Sequence, residues 1–171
     1  MDAPVSGGDI GAQNGTLTIM IGGEKSDYEK SLPILNAMGK DIIHCGDVGK
    51  GQAVKLCNQV LCSIHMMAIC EAVELAKTLD IDPDLMIQVC STGAAGSWAL
   101  SNLAPKIVAS DFAPGFMIKH ILKDLRLVQE SLENQTLSAT NLATQMFKIV
   151  ENLGGTEQGT QAMIRAYQNE E

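Results

Sequence analysis

The 171-residue sequence predicts an α/β segment that passes, through one long helix, into an all-α domain. Three observations carry this. Over the first fifty residues, strand-like stretches alternate with glycine turns and one helical stretch; residues 52–78 contain neither proline nor glycine; and beyond Asp82-Pro83 the apolar residues recur at helical spacing between polar breaks.

The strands are predicted at residues 3–6, 16–21 (TLTIMI) and 41–45 (DIIHC), with glycine pairs at Gly7-Gly8 and Gly22-Gly23 as turns. Between the second and third strands, Ser26 with Glu29 three residues on reads as a capping box that starts a short helix, which Pro33 kinks or restarts. A strand-helix-strand order implies a sheet with covering helices, but three strands are too few to bury both faces. The segment therefore reads as the end of an α/β domain. The next 27 residues would span ~40 Å as a helix, long enough to join two domains. Val54, Leu61, Ile64, Ala68, Ala72 and Leu75 form its expected apolar stripe. Asp82-Pro83 then supplies an N-cap and a first-turn proline. Further helices are expected at 83–91, 97–109, 117–133, 138–152 and 157–168.

Twelve Lys and Arg against twenty Asp and Glu give a net charge of −8, which repels phosphate backbones and anionic lipid, so neither nucleic acid nor a membrane is the expected partner. No unbroken apolar run reaches the ~20 residues of a bilayer span, and no basic-then-apolar leader opens the sequence. Cys45, Cys57, Cys62, Cys70 and Cys90 form no CxxC pair and read as reduced, buried thiols, which fits a cytoplasmic setting. His44, His65 and His120 lack metal-ligand spacing, so no metal is expected.

Three clusters can carry chemistry. In Asp2-Ala3-Pro4-Val5-Ser6-Gly7-Gly8 a strand ends in a hydroxyl and two glycines, whose backbone N–H groups can converge on a carboxylate. Taken singly this also fits an ordinary turn. In the run from Gly46 to Asn58, a glycine-rich turn enters the long helix, placing Lys55 in its first turn and Asn58 three residues on, on the same face. The macrodipole and partial burial there disfavour the charged amine, a property useful in proton transfer, whereas a lone helical lysine is more often solvated. His65, ten residues on, is ~15 Å away along the axis, too far to act as its proton partner. In the third cluster Phe116 opens a helix, and Lys123-Asp124 follows two turns later as a couple that could be a solvated ion pair.

In this order and spacing, DAPVSGG, the GxxGxGxxxKxxxN-like run to Asn58, and FMIKHILKDLRL from Phe116 resemble the 3-hydroxyisobutyrate dehydrogenase family, the β-hydroxyacid dehydrogenases. The resemblance runs from Asp2 to the last helix. It implies the last strands of a Rossmann-type sheet over 1–51, a long interdomain helix over 52–78, and an all-α domain like the C-terminal domain of 6-phosphogluconate dehydrogenase over 79–171. It further implies that Ser6, Gly7 and Gly8 hold the substrate carboxylate, that Lys55 is the general acid/base and that Asn58 orients substrate. Lys123 would lie near an NAD or NADP cofactor and Phe116 on its nicotinamide side, while Asp124 supports their helix. The implied reaction is hydride transfer between NAD(P) and the hydroxyl-bearing carbon of a short 3-hydroxy acid or its semialdehyde, in a homo-oligomer.

Two departures qualify the match. The family's GxGxxG turn, which binds the pyrophosphate, has no counterpart here; Gly49-Lys50-Gly51 mimics part of it without a βαβ unit ahead. The expectation is a C-terminal portion unable to bind a dinucleotide properly alone. Cys57 stands where 6-phosphogluconate dehydrogenase typically has a histidine, which favours short acyl substrates over a sugar phosphate. The competing reading is a non-catalytic helical dimerisation module.

Overall fold

The structure, a computed structural model, describes residues 1–168. The elements in order are β1 (Val5–Ser6), α1 (Gly8–Asn14), β2 (Leu17–Gly22), α2 (Lys25–Leu35), β3 (Gly39–Gly46), α3 (Lys50–Thr78), α4 (Pro83–Cys90), α5 (Trp98–Val108), α6 (Ile118–Glu130) and α7 (Ser138–Val150). A π turn at Glu151–Gly155 and a 3₁₀ helix at Thr160–Ala166 follow. The chain divides into two compact units, Met1–Gln59 and Val60–Glu171.

In the first unit β2 is the central strand, antiparallel to β1 (Val5 opposite Ile19) and parallel to β3 (Ile19 opposite Ile42). Leu17, Ile19 and Ile21 alternate onto one face and pack with Leu35 of α2, Tyr28 and Ile42. Met20 and Gly22, on the opposite face, are buried as well, so the central strand is covered on both sides despite the narrow sheet. Two local expectations fail. Gly8 opens α1, a seven-residue helix that the glycine pair had disguised as a turn. The N-cap of α2 is Glu24, and no side chain caps it, so Ser26 and Glu29 lie inside the helix and form no capping box. Pro33 sits in the last turn of α2, which ends two residues later.

The second unit packs α4 to α7, the 3₁₀ helix and the later turns of α3 around Phe147, Ile118, Ile121, Leu125, Met163 and Ile164. The face that α3 buries is not the expected stripe. Ser63, Met66, Cys70, Val73 and Ala76 point inward, while Leu61 and Leu75 are 57% and 58% exposed. The helix is apolar nearly all round, so two stripes compete, and the buried one was masked by a serine. Ser63 is accommodated because its Oγ donates to the carbonyl of Val60 at 2.8 Å. By length and composition α3 could cross a bilayer, an apolarity that unbroken runs understated; one side of it, through Met66, Ile69, Cys70 and Val73, packs into the core of the second unit. Cys57 and Cys62 lie on exposed positions of α3, so only Cys70 meets the expectation of a buried thiol in full, and burial pushes that thiol's pKa up.

The last predicted helix is a 3₁₀ segment, because the chain enters it from an extended Gly159 after the left-handed Gly154. This segment orders the start of α6. The N–H groups of Ile118 and Lys119 donate to the carbonyls of Gln158 (2.9 Å) and Thr156 (3.1 Å), and that of Thr160 donates to Phe116 O at 3.0 Å. Buried Gln161 adds two bonds from Nε2, to the carbonyls of Asp111 and Ala113, each 3.0 Å. The first two amides of α6 are thus satisfied by backbone of residues 156–158, while those of His120 and Ile121 donate to the carbonyl of Met117, whose side chain forms no cap bond.

Candidate functional site

Within the first unit, Ser6 ends β1 and Gly7 and Gly8 follow with φ of 129° and 60°. These positive values suit glycine and turn the chain sharply into α1, whose first residue is Gly8. A side chain on Gly7 would press on Leu17 Cδ2 at 3.1 Å, so the turn lies directly against the central strand. Lys55 and Asn58 are half-buried and share a face of α3. The Asn58 carboxamide is oriented by its neighbour, Nδ2 donating to Gln59 Oε1 at 2.9 Å, and Gln59 is only 2% exposed. Because α3 begins at Lys50, Lys55 occupies the second turn and not the first, where the macrodipole acts less strongly.

The strand that leads to Ser6 and the helix that carries Lys55 are joined by a residue to which the motif reading assigned no role. Asp2 Oδ1 accepts the N–H of Gly49 at 2.6 Å, and Oδ2 accepts that of Gln52 at 2.7 Å. These amides, the Gly49 bond foremost, hold the Asp2 carboxyl below the usual carboxylate range. Nothing local signals the contact, since the partners lie 47 and 50 residues away.

In the second unit, Lys123 lies on the exposed side of α6, its Nζ 2.8 Å from Asp124 Oδ1. Asp124 is 8% exposed, which agrees with a supporting role inside the fold. Phe116 is half-buried against the core and its ring lies 5.8 Å from that of His120. An accessible ammonium and an aromatic edge are chemically suited to an anionic dinucleotide, so these residues fit NAD(P). Among the described residues no group of three or more His, Cys, Asp or Glu is arranged for a metal.

Residues 49–167 match the family described as the NAD-binding domain of NADP-dependent 3-hydroxyisobutyrate dehydrogenase, and residues 1–46 match the NAD-binding domain of 6-phosphogluconate dehydrogenase. The chain belongs to the 3-hydroxyisobutyrate dehydrogenase family. It is 61% identical over 167 residues to an uncharacterized oxidoreductase of Synechocystis sp., covering 98% of this chain and 58% of that protein. A 2-(hydroxymethyl)glutarate dehydrogenase of Eubacterium barkeri is 37% identical, over 98% of this chain and 57% of its own. Among solved structures, a Mycobacterium tuberculosis 3-hydroxyisobutyrate dehydrogenase with L-serine superposes with a TM-score of 0.89 at 31% identity, covering 98% of this chain and 60% of that one. The chain thus spans less than two thirds of these relatives' length. The family fold accounts for the small sheet, the long helix and the helical second unit, as the motif resemblance implied.

Proposed function

We propose that this chain forms the substrate-binding and proton-transferring part of an NAD(P)-dependent oxidoreductase acting on a short 3-hydroxy acid or its semialdehyde. The hydride acceptor or donor in that reaction is the nicotinamide of NAD(P). Ser6 with the amides of Gly7 and Gly8 binds the substrate carboxylate, and Asn58 orients the substrate beside Lys55. In the oxidation direction the Lys55 amine accepts the hydroxyl proton; in reduction its ammonium returns a proton to the carbonyl oxygen. Lys123 and Phe116 contribute to the nucleotide side. On this reading, residues 1–51 belong to the nucleotide-binding domain, 52–78 form the interdomain helix and 79–171 form the helical domain. The 171 residues alone turn over no substrate until joined to a GxGxxG-bearing nucleotide-binding domain. The setting is cytoplasmic.

One observation supports the reading: half-buried Lys55 and Asn58 share a helix face within the same compact unit as the strand end built from Ser6, Gly7 and Gly8, in a member of this family. The names of two relatives narrow the substrate. L-serine, 3-hydroxyisobutyrate and 2-(hydroxymethyl)glutarate all carry a CH2OH group on the carbon that bears a carboxylate. A carboxylate grip at one end and a proton acceptor at the other suit that pattern.

The test joins the chain to the part of the Synechocystis relative that this chain does not cover and assays 3-hydroxy acids with NAD and NADP. Lys55→Ala is expected to lower kcat by ~10² to 10⁴. Turnover within tenfold of wild type removes Lys55 from the mechanism.

A second reading, a non-catalytic helical dimerisation module, draws on the exposed Leu61 and Leu75 of α3. The same residues support a homo-oligomer on the first reading. Light scattering that reports a clean monomer counts against both forms of association, and turnover by the joined protein counts against the module.

A further inference from the structure

We propose that Asp2 is a positioning residue that sets the register between the carboxylate-binding turn at Ser6 and the Lys55-bearing face of α3. The inference rests on the roles proposed above for Ser6 and Lys55. Asp2 is fixed at both ends. Its backbone N–H donates to Gly22 O (2.8 Å) and its carbonyl accepts from Gly22 N–H (2.9 Å), which pins it to the end of β2. Its side chain is committed as well, one oxygen to the N–H of Gly49 and the other to that of Gln52, so the same residue clamps the start of α3.

The clamp works at backbone contact. A methyl on Gly51 would collide with Met20 O and lie 2.7 Å from Asp2 Oδ2, and one on Gly22 would lie 2.8 Å from Gly51 N. No side chain can intervene, and the strand end and helix start have no room to slide. From this point the two arms are short: about 13 Å of extended chain leads to Ser6 and about 4.5 Å of helix, less than one turn, leads from Gln52 to Lys55. Proton transfer and carboxylate binding act on opposite ends of one small substrate, so an error at the clamp passes directly into the reacting distance.

The chemistry explains why an aspartate does this. Serine offers one short acceptor and asparagine one acceptor plus a carboxamide NH2 donor that would face an N–H, whereas a carboxylate serves both amides and places a full charge at the N-terminal end of a 29-residue helix.

The experiment has two arms. On the 171-residue chain, amide hydrogen exchange compares wild type with Asp2→Ala and Asp2→Asn; exchange at Gly49 and Gln52 should rise at least tenfold in Asp2→Ala and less in Asp2→Asn. Unchanged exchange overturns the proposal whatever the kinetics show. On the joined protein, assayed well below its melting temperature, Asp2→Ala should lower kcat about tenfold or more, leave KM for the nucleotide within twofold, and be partly rescued by Asp2→Asn. If Lys55→Ala is inactive while Asp2→Ala keeps kcat within twofold, the positioning role is overturned and the reading of the site stands. If Lys55→Ala remains active, the reading of the site falls and the positioning role with it. Should Asp2→Ala fail to fold, the isosteric Asp2→Asn carries both arms, with kcat lowered at least threefold as the supporting result and an unchanged kcat as the overturning one.

Discussion

The two units of this chain reach order by different means. The second buries a broad apolar core in which Phe147, Ile118, Leu125 and Met163 are fully enclosed. The first has a small cluster of Leu17, Ile19, Ile21 and Leu35, and relies besides on backbone contact between Gly22 and Gly51 and on the Asp2 carboxylate. Lys55, Asn58, Ser6, Gly7 and Gly8 all belong to the unit with the smaller core. An apolar core tolerates small shifts among many contacts, whereas a clamp made of two hydrogen bonds and two glycines specifies one geometry. The difference suggests that precision in the proposed site comes from polar and backbone constraints, and bulk stability from the helical unit.

The largest expected effect tests the core side of that contrast. Phe147→Ala should cost about 3–5 kcal/mol by urea denaturation, because it empties a fully enclosed aromatic site. A loss under ~1 kcal/mol would mean that the second unit does not depend on its core as described. Next comes Gly51→Ala, where a single methyl must displace Met20 O or the Asp2 carboxylate. A cost of about 1–3 kcal/mol is expected, with amide exchange rising in residues 1–59 and not around Phe147. A rise distributed evenly over both units would erase the contrast.

The acid response sharpens the comparison further. Asp2 has a folded pKa below its ordinary 3.8, so its contribution is present above that ordinary value and is lost as pH falls through the lowered folded value. Exchange protection at Gly49 and Gln52 should therefore fall on acidification toward and below pH 3.8, and Asp2→Asn should flatten this response. An acid profile identical in Asp2→Asn would show that other carboxylates govern it. The smallest effect is expected at Lys119, whose ion pair with Glu157 at 2.8 Å is solvent-accessible: Lys119→Ala should change stability by less than ~1 kcal/mol. A larger loss would point to the neighbouring backbone bonds at Lys119 N as the element disturbed.

Part of this was legible before any coordinates. The absence of proline and glycine over 52–78 announced α3, and Asp82-Pro83 announced α4, where Asp82 Oδ1 does accept the Asp84 N–H at 3.0 Å. The site clusters were legible as motifs because each is contiguous. The inward face of α3 was not, since apolar residues occupy most of its circumference and the buried stripe contains Gln59 and Ser63. Helix α1 was hidden because a glycine pair usually signals a turn and here begins a helix. The anchoring of α6 by Gln158 and Thr156, and of the loop before it by Gln161, left no trace in local spacing, because the bonded residues lie 37 to 50 positions apart in the chain.

Apart from α1, sequence alone decided the order of the main strands and helices and which side chains stand together in each short motif, because periodicity and glycine freedom act over a few residues. Tertiary structure decided which stripe of α3 faces inward, how the start of α6 is satisfied and that Asp2 closes the gap between a strand and a helix 47 residues away. Those outcomes depend on which backbones approach to hydrogen-bonding distance, a quantity set by the packed chain as a whole and by no local pattern.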